Sequence, residues 1–235
     1  MKSSSRPPLA TFGAATAAAA GGFFSRPAEA RVLKVLVYLH VALKQRAFES
    51  ELRAALPNLD VKAVGRLADF DRALDEGADA VLSSPLLLAA HRLSIEVQGH
   101  HAGSPDERYS LVGAGSAPAP DRVATIGALD LLGREATSSF VYGLLGSRPR
   151  VERVTKLEDL LPLLQMQKVD GIVLPTRLLP DVQASSRLEL TPHQLPSLVR
   201  LPALAAVGPG GAEAVAAVAR LPLKISRTLG VDEWR

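Results

Sequence analysis

Two α/β lobes, each a small mixed or parallel sheet flanked by helices, are the architecture this sequence predicts, and three observations predict it. From residue 31 onward, short apolar runs of strand length alternate with runs of helical period, the order that builds parallel βαβ units. One segment recurs: Ala78-Asp79-Ala80-Val81-Leu82 after one helix matches Val169-Asp170-Gly171-Ile172-Val173 after another, and turns containing a hydroxyl and a proline follow both, Ser83-Ser84-Pro85 and Leu174-Pro175-Thr176. The chain also leaves its first unit near residue 110 and returns near residue 200, which makes two lobes and a hinge. The boundaries predicted are 31–108 plus 200–235 for lobe one and 109–199 for lobe two.

The elements follow in order. Val32 to Tyr38 is nearly continuous Val and Leu, as a strand buried on both faces requires. Ala42 to Leu56 places Leu43, Ala47, Leu52 and Ala55 on one helical face until Pro57-Asn58 stops it. Leu59 to Val64 is the second strand, Leu67 to Glu76 a short helix ended by Gly77, and Ala78 to Leu82 the third strand. Ser83-Ser84-Pro85 opens a helix from Leu86 to His91, so hydroxyls and free amides gather at a strand's carboxyl end, where open α/β sheets hold ligands. Ser94 to Gly103 reads as a loop, and Tyr109 to Gly113 as an extended crossover. The second unit repeats the first: strand Arg122 to Ile126, helix Thr137 to Leu145, strand Val151 to Thr155, helix Leu157 to Gln167, strand Val169 to Leu174. Pro192 to Pro202 carries three prolines and no helical period, the mark of a return connection. It leads to a strand, Ala203 to Val207, and a closing helix, Gly211 to Leu221.

The opening thirty residues read as an export signal. Lys2 and Arg6 form a cationic start, Leu9 to Phe24 an apolar run, and Ala28-Glu29-Ala30 a small-x-small cleavage site. The run is broken by Gly13, Gly21 and Gly22 and falls short of the ~20 residues that span a bilayer. A periplasmic product beginning at Arg31 is the expectation.

Composition removes several function classes. With 47% hydrophobic and 22% charged residues the chain is of ordinary globular kind. The net charge of +3 owes much to Lys2, Arg6 and Arg26, so no basic surface for nucleic acid is expected. Cysteine is absent, which excludes disulfides, thiolate metal sites and a thiol nucleophile. His100-His101, even with His40 and His91, lacks the i to i+4 spacing and acidic company of a metal site, so no metal is expected. No Gly-x-Ser-x-Gly surrounds Ser83 or Ser84, and Asp79 shares its place with Asp170, which makes both aspartates strand-entry contacts and leaves no catalytic set. Arg134 is the one isolated charge suited to a bidentate grip on an anion, and Glu135 beside it offers a surface partner instead.

These residues resemble the type-two periplasmic substrate-binding proteins, and within them the phosphate/phosphite/phosphonate-binding branch of ABC-transporter receptors. The resemblance rests on the strand after the export signal, Ala73 to Leu82, Tyr109-Ser110-Leu111-Val112, Leu132-Gly133-Arg134 leading into Thr137-Ser138-Ser139, and the Gly230-Val231-Asp232-x-Trp234 ending. It implies a two-lobed periplasmic-binding-protein-like fold and a non-enzymatic monomer, without a cofactor, that holds a small-molecule ligand for a membrane permease. It further implies ligand contacts at Tyr38 and His40, Ser83 and Ser84, Thr137, Ser138 and Ser139, with Thr176 as a weaker one. Hydroxyls and helix-start amides in those places donate to oxyanion oxygens. The sequence departs from the branch in having no glycine after Thr-Ser-Ser and in strongly apolar turns: Leu86-Leu87-Leu88 after the serines, and Ile126 to Leu129 ahead of Leu131-Leu132. An apolar lipid or sterol cargo therefore stays open beside the oxyanion, as does a sensor domain for a membrane receptor.

Overall fold

The apolar strands of the sequence assemble into two sheets built on one plan. The computed structural model describes residues 31–39 and 45–235. The predicted leader, His40 and the first residues of the predicted first helix lie outside the described residues. In the first sheet β1 (Leu33–Tyr38) lies between β2 (Leu59–Ala63) and β3 (Ala80–Ser83), parallel to both. Antiparallel to β3 comes β10 (Ala203–Ala206), followed by β4 (Val97–His100) and β11 (Glu233–Trp234). In the second sheet β6 (Thr125–Leu129) lies between β7 (Arg150–Val154) and β8 (Gly171–Pro175), again parallel to both. Here β5 (Asp106–Ala114) adds antiparallel to β8, with β9 (Leu190–Arg200) outside it. The orders β11-β4-β10-β3-β1-β2 and β7-β6-β8-β5-β9 thus share a parallel trio with an antiparallel strand on its third member.

The recurring aspartates explain why the trios match. The Asp79 carboxylate accepts the Lys34 N–H at 3.0 Å and the Gly210 N–H at 3.2 Å, while the Asp79 N–H donates to the Lys34 carbonyl at 2.8 Å. The Asp170 carboxylate accepts the Ala124 and Thr125 N–H groups at 2.7 and 2.8 Å, and the Asp170 N–H donates to the Thr125 carbonyl at 2.9 Å. Each aspartate fastens the start of the third strand to the start of the first, the strand-entry contact that the repeat predicts.

Helices cover both faces of each sheet. Val35 and Val37 point toward α1 (Gln45–Ala55), α7 (Gly211–Val218) and α8 (Leu223–Thr228), packing with Phe48, Leu52, Val215 and Ile225. Leu36 and Tyr38 alternate to the other face, toward α2 (Leu67–Asp75) and α3 (Pro85–Ala90), where Phe70 and Leu87 are fully buried. In the second sheet α4 (Arg134–Leu145) covers Ile126 and Val173, while α5 (Leu160–Gln165) and α6 (Leu179–Ser185) cover Ile172 and Leu174. Burial on both faces is why β3, β8 and, from Val35 onward, β1 read as largely apolar runs.

Several elements differ from expectation, each for a local reason. The Ser94 to Gly103 loop contains β4, because Gly99 lets neighbours close in: a Cβ there would lie 2.5 Å from Val231 Cγ2 and 2.7 Å from the Pro202 carbonyl oxygen. Pro192 to Pro202 is mostly β9, an edge strand that tolerates proline, with Pro196 inside the register shift opposite Arg108 to Ser110. Arg122 lies in a turn, donating to the Ala119 carbonyl, and β6 begins at Thr125, where Asp170 takes its N–H. Helix α4 starts at Arg134, a turn before Thr137. The expected helix Leu157 to Gln167 opens as a 3-10 turn, Leu157–Asp159, before α5. Helices α6 and α8 occupy segments for which no helix is expected.

Candidate ligand-binding site

The carboxyl ends of both parallel trios converge on one cavity. β1 delivers Tyr38 and, just beyond it, Leu39; the β3–α3 turn delivers Ser84 and Leu86. From the other sheet β6 delivers Ala128 and Leu129, β8 delivers Val173 and Pro175, and α4 delivers Phe140. The cavity is about 60 Å³, room for a few water molecules. Most of these side chains are apolar.

Two polar features punctuate the lining. The Tyr38 hydroxyl donates to the Asp130 carbonyl oxygen at 3.1 Å, from the first sheet to the loop after β6. Burial, followed by the Asp130 and Asp71 carboxylates, pushes the Tyr38 hydroxyl upward from its ordinary pKa, so it keeps its proton as a donor. The second feature is an ion pair, Arg177 Nε to Glu107 Oε2 at 2.8 Å, with Arg177 Nη1 also donating to the Thr228 carbonyl at 3.3 Å. Burial raises the Glu107 carboxyl above the usual range, and Arg177 opposes that rise. Tyr109 beside it is raised by burial and by the Glu107 charge, and its ring meets Phe140 edge-on at 5.5 Å between centroids.

The loop leading into α4, a segment expected to hold an oxyanion, is satisfied from within. Asp130 Oδ1 accepts the Gly133 N–H at 3.0 Å and the Thr137 hydroxyl at 3.1 Å, while Thr137 Oγ1 accepts the Leu131 and Leu132 N–H groups at 3.1 and 3.2 Å. The other carboxylate oxygen of Asp130 pairs with Arg153. The loop's donors point at the chain's own carboxylate and hydroxyl.

The residues singled out in the sequence fall in different places. Tyr38 and Ser84 line the cavity, although the Ser84 hydroxyl also caps α3 by accepting the Leu87 N–H at 3.3 Å. Ser83 is fully buried and donates to the Tyr38 carbonyl at 2.7 Å. Thr137 is buried in the Asp130 network. Ser138 donates to the Arg134 carbonyl one turn back at 2.8 Å and borders a separate surface hollow with Arg134, Tyr142 and Arg150. Ser139 is exposed and borders a groove outside the cavity, with Ser84 on its other side. The Thr176 hydroxyl lies 2.8 Å from that of Ser110. His40 lies outside the described residues. Of the leucines after the serines, Leu86 faces the cavity while Leu87 and Leu88 turn into the core.

Sequence reasoning missed Glu107, Arg177 and Asp130. Glu107 reads as one half of an acidic pair that neutralises a loop, and Arg177 follows Thr176 with no motif around it. The pair comes together across sequence because β5 and β8 are neighbours in the sheet. The adjacent histidines diverge in role: His101 Nδ1 meets Asp232 Oδ2 at 3.2 Å near the C-terminus. Among the described residues no group of three or more His, Asp or Glu is placed to hold a metal ion.

No protein-family model and no curated protein sequence matches the chain. Solved structures do. The binding-protein component of an ABC phosphonate transporter from Pseudomonas aeruginosa matches with a TM-score of 0.62 at 14% identity, over 87% of this chain and 82% of that one. The GluR0 ligand-binding core in complex with L-glutamate matches at 0.58 and 16%, over 86% and 98%. The VFT2 domain of BvgS from Bordetella pertussis matches at 0.56 and 14%, over 85% and 92%. The fold is thus the two-lobed, periplasmic-binding-protein-like one, and the likeness is to that fold and not to one branch of it.

Proposed function

We propose that this chain is an extracytoplasmic solute-binding protein that closes its two lobes around a small, largely apolar ligand and releases it chemically unchanged to a membrane permease or receptor. One observation carries this reading: the carboxyl ends of both parallel trios meet at a mostly apolar cavity whose charged groups, Glu107 with Arg177 and Arg200 with Asp106, are already paired. Similarly folded proteins are described as a phosphonate-transport component and a glutamate-binding core, which supports ligand capture as the role. The leader-like N-terminus supports export.

An oxyanion fits the geometry less well. The amides of the loop leading into α4, Leu131 to Gly133, are engaged by Thr137 and Asp130, so an anion seated on that loop would have to displace a carboxylate held by Arg153. Leu39, Leu86, Leu129 and Leu131 offer it nothing.

Mass spectrometry of material that co-purifies with the chain tests the reading, combined with thermal unfolding against a panel of alcohols, phosphate and phosphonates. A ligand at a hundredfold excess over its Kd stabilises by about 2.7 kcal/mol. Apolar compounds are expected to do so in wild type and not in Leu129→Asp. Stabilisation by phosphonates alone, or turnover of any bound compound, would overturn the proposal.

A further inference from the structure

The cavity does not end at its own walls. Ser84, Leu86, Phe140, Val199 and Arg200 also line an adjoining surface groove of about 410 Å³, which continues past Ser139, Gly143, Ser197 and Leu198. Leu86 and Leu198 are 43% and 57% exposed there, so the groove leaves large apolar side chains in water. Its wall is cut low at Gly143, inside α4. A Cβ at that position would meet nothing within 4 Å and the residue has no positive φ, so neither crowding nor backbone geometry requires glycine. An interior helical glycine weakens its helix relative to alanine; here it leaves the groove open.

Polarity runs one way along this path. Glu107, Tyr109 and Arg177 belong to the cavity and are absent from the groove, whose lining is mostly apolar or small apart from Arg200, shared by both and paired with Asp106 at 3.3 Å. An ion pair of zero net charge offers a carboxylate acceptor and a guanidinium donor together, which suits an uncharged head that both donates and accepts. Resting on the reading above, we infer that the ligand is a single-chain amphiphile with a neutral hydrogen-bonding head, such as an alcohol, seated at Glu107 and Arg177, and an alkyl tail laid through the Leu86–Phe140 gap into the Gly143–Leu198 groove.

The test is calorimetric titration of the full chain with butanol, hexanol, octanol and decanol, and with octanoate. Affinity is expected to rise roughly fourfold per methylene. Gly143→Phe is expected to flatten that rise beyond hexanol, Gly143→Ala to preserve it, and Leu198→Asp, on an exposed position, to weaken decanol most. Butanol binding with a flat series, or a rise untouched by Gly143→Phe and Leu198→Asp, overturns the groove assignment and leaves the cavity reading standing. Failure of every alcohol and of octanoate sinks the cavity reading itself. Tighter binding of octanoate than octanol overturns the neutral head. Loss of binding to phosphatidylglycerol vesicles in Leu198→Asp, with the alcohol series intact, gives the groove to a membrane contact instead and also overturns the inference.

Discussion

The Tyr38 hydroxyl, at the end of the middle strand of the first parallel trio, donates to the carbonyl oxygen of Asp130, just past the end of the middle strand of the second, 3.1 Å away. The two strands that lie at the centres of the parallel trios are thereby tied end to end across the cavity, by a group that burial keeps protonated.

Tyr38→Phe removes this tie and leaves the first sheet's core its aromatic ring beside Phe70. The expected cost is about 1 kcal/mol in urea unfolding, the net value of one such bond. Small-angle scattering of the unliganded variant is expected to show a larger radius of gyration than wild type. An unchanged radius would mean that packing alone holds the lobes together.

The two recurring aspartates are expected to respond unequally. Asp79 is fully buried and Asp170 exposed, although each accepts two backbone N–H groups. Asp79→Ala strands those donors away from water, at on the order of 3 kcal/mol, whereas water replaces the carboxylate in Asp170→Ala at about 1 kcal/mol. Chemical denaturation of both variants measures the difference, and equal losses would refute the burial argument.

Glu107 and Arg177, 14% and 25% exposed at their side chains, form an asymmetric pair. Because burial outweighs Arg177 and raises the Glu107 carboxyl, the folded state holds that proton more tightly than the unfolded one. This contribution to stability is complete below the ordinary carboxylate pKa and is lost as pH rises from there through the raised value. Glu107→Gln, an isostere of the protonated form, is expected to cost little at neutral pH and to flatten that part of the profile. Arg177→Met leaves the carboxylate uncompensated and is expected to cost about 3 kcal/mol at neutral pH, less in acid. Thermal unfolding across pH for both variants checks the sign, and a larger neutral-pH loss in Glu107→Gln than in Arg177→Met would reverse it.

What the sequence made legible was what depends on local pattern. Burial on both faces made β3, β8 and, from Val35 onward, β1 largely apolar runs, and the recurrence of Asp79 and Asp170 announced a shared strand plan. β4 stayed hidden because its defining residue, Gly99, is a strand residue only by virtue of Val231 and Pro202, which are distant in sequence. β9 stayed hidden because edge position excuses prolines that a sequence window counts as breakers. At the site, Tyr38 and Ser84 follow from the rule that ligands gather at carboxyl ends of strands. Glu107 and Arg177 do not, since only the pairing of β5 with β8 makes them neighbours. Nor did hydroxyl content reveal that Thr137 faces inward, toward a carboxylate that no motif marks.

The two sheets differ in one respect that bears on how the chain is made. All five strands of the second sheet, β5 to β9, are consecutive, so that sheet has every partner it needs once Arg200 has been synthesised. The first sheet does not: β10 sits between β3 and β4, and β11 closes the far edge, so its middle and one edge are filled by strands encoded after the whole second sheet. Until those strands are made β3 and β4 present open edges, the condition under which chains aggregate or recruit chaperones. The second sheet is therefore complete in sequence by Arg200, whereas the first draws on strands from both sides of it, with β11 the last to be supplied.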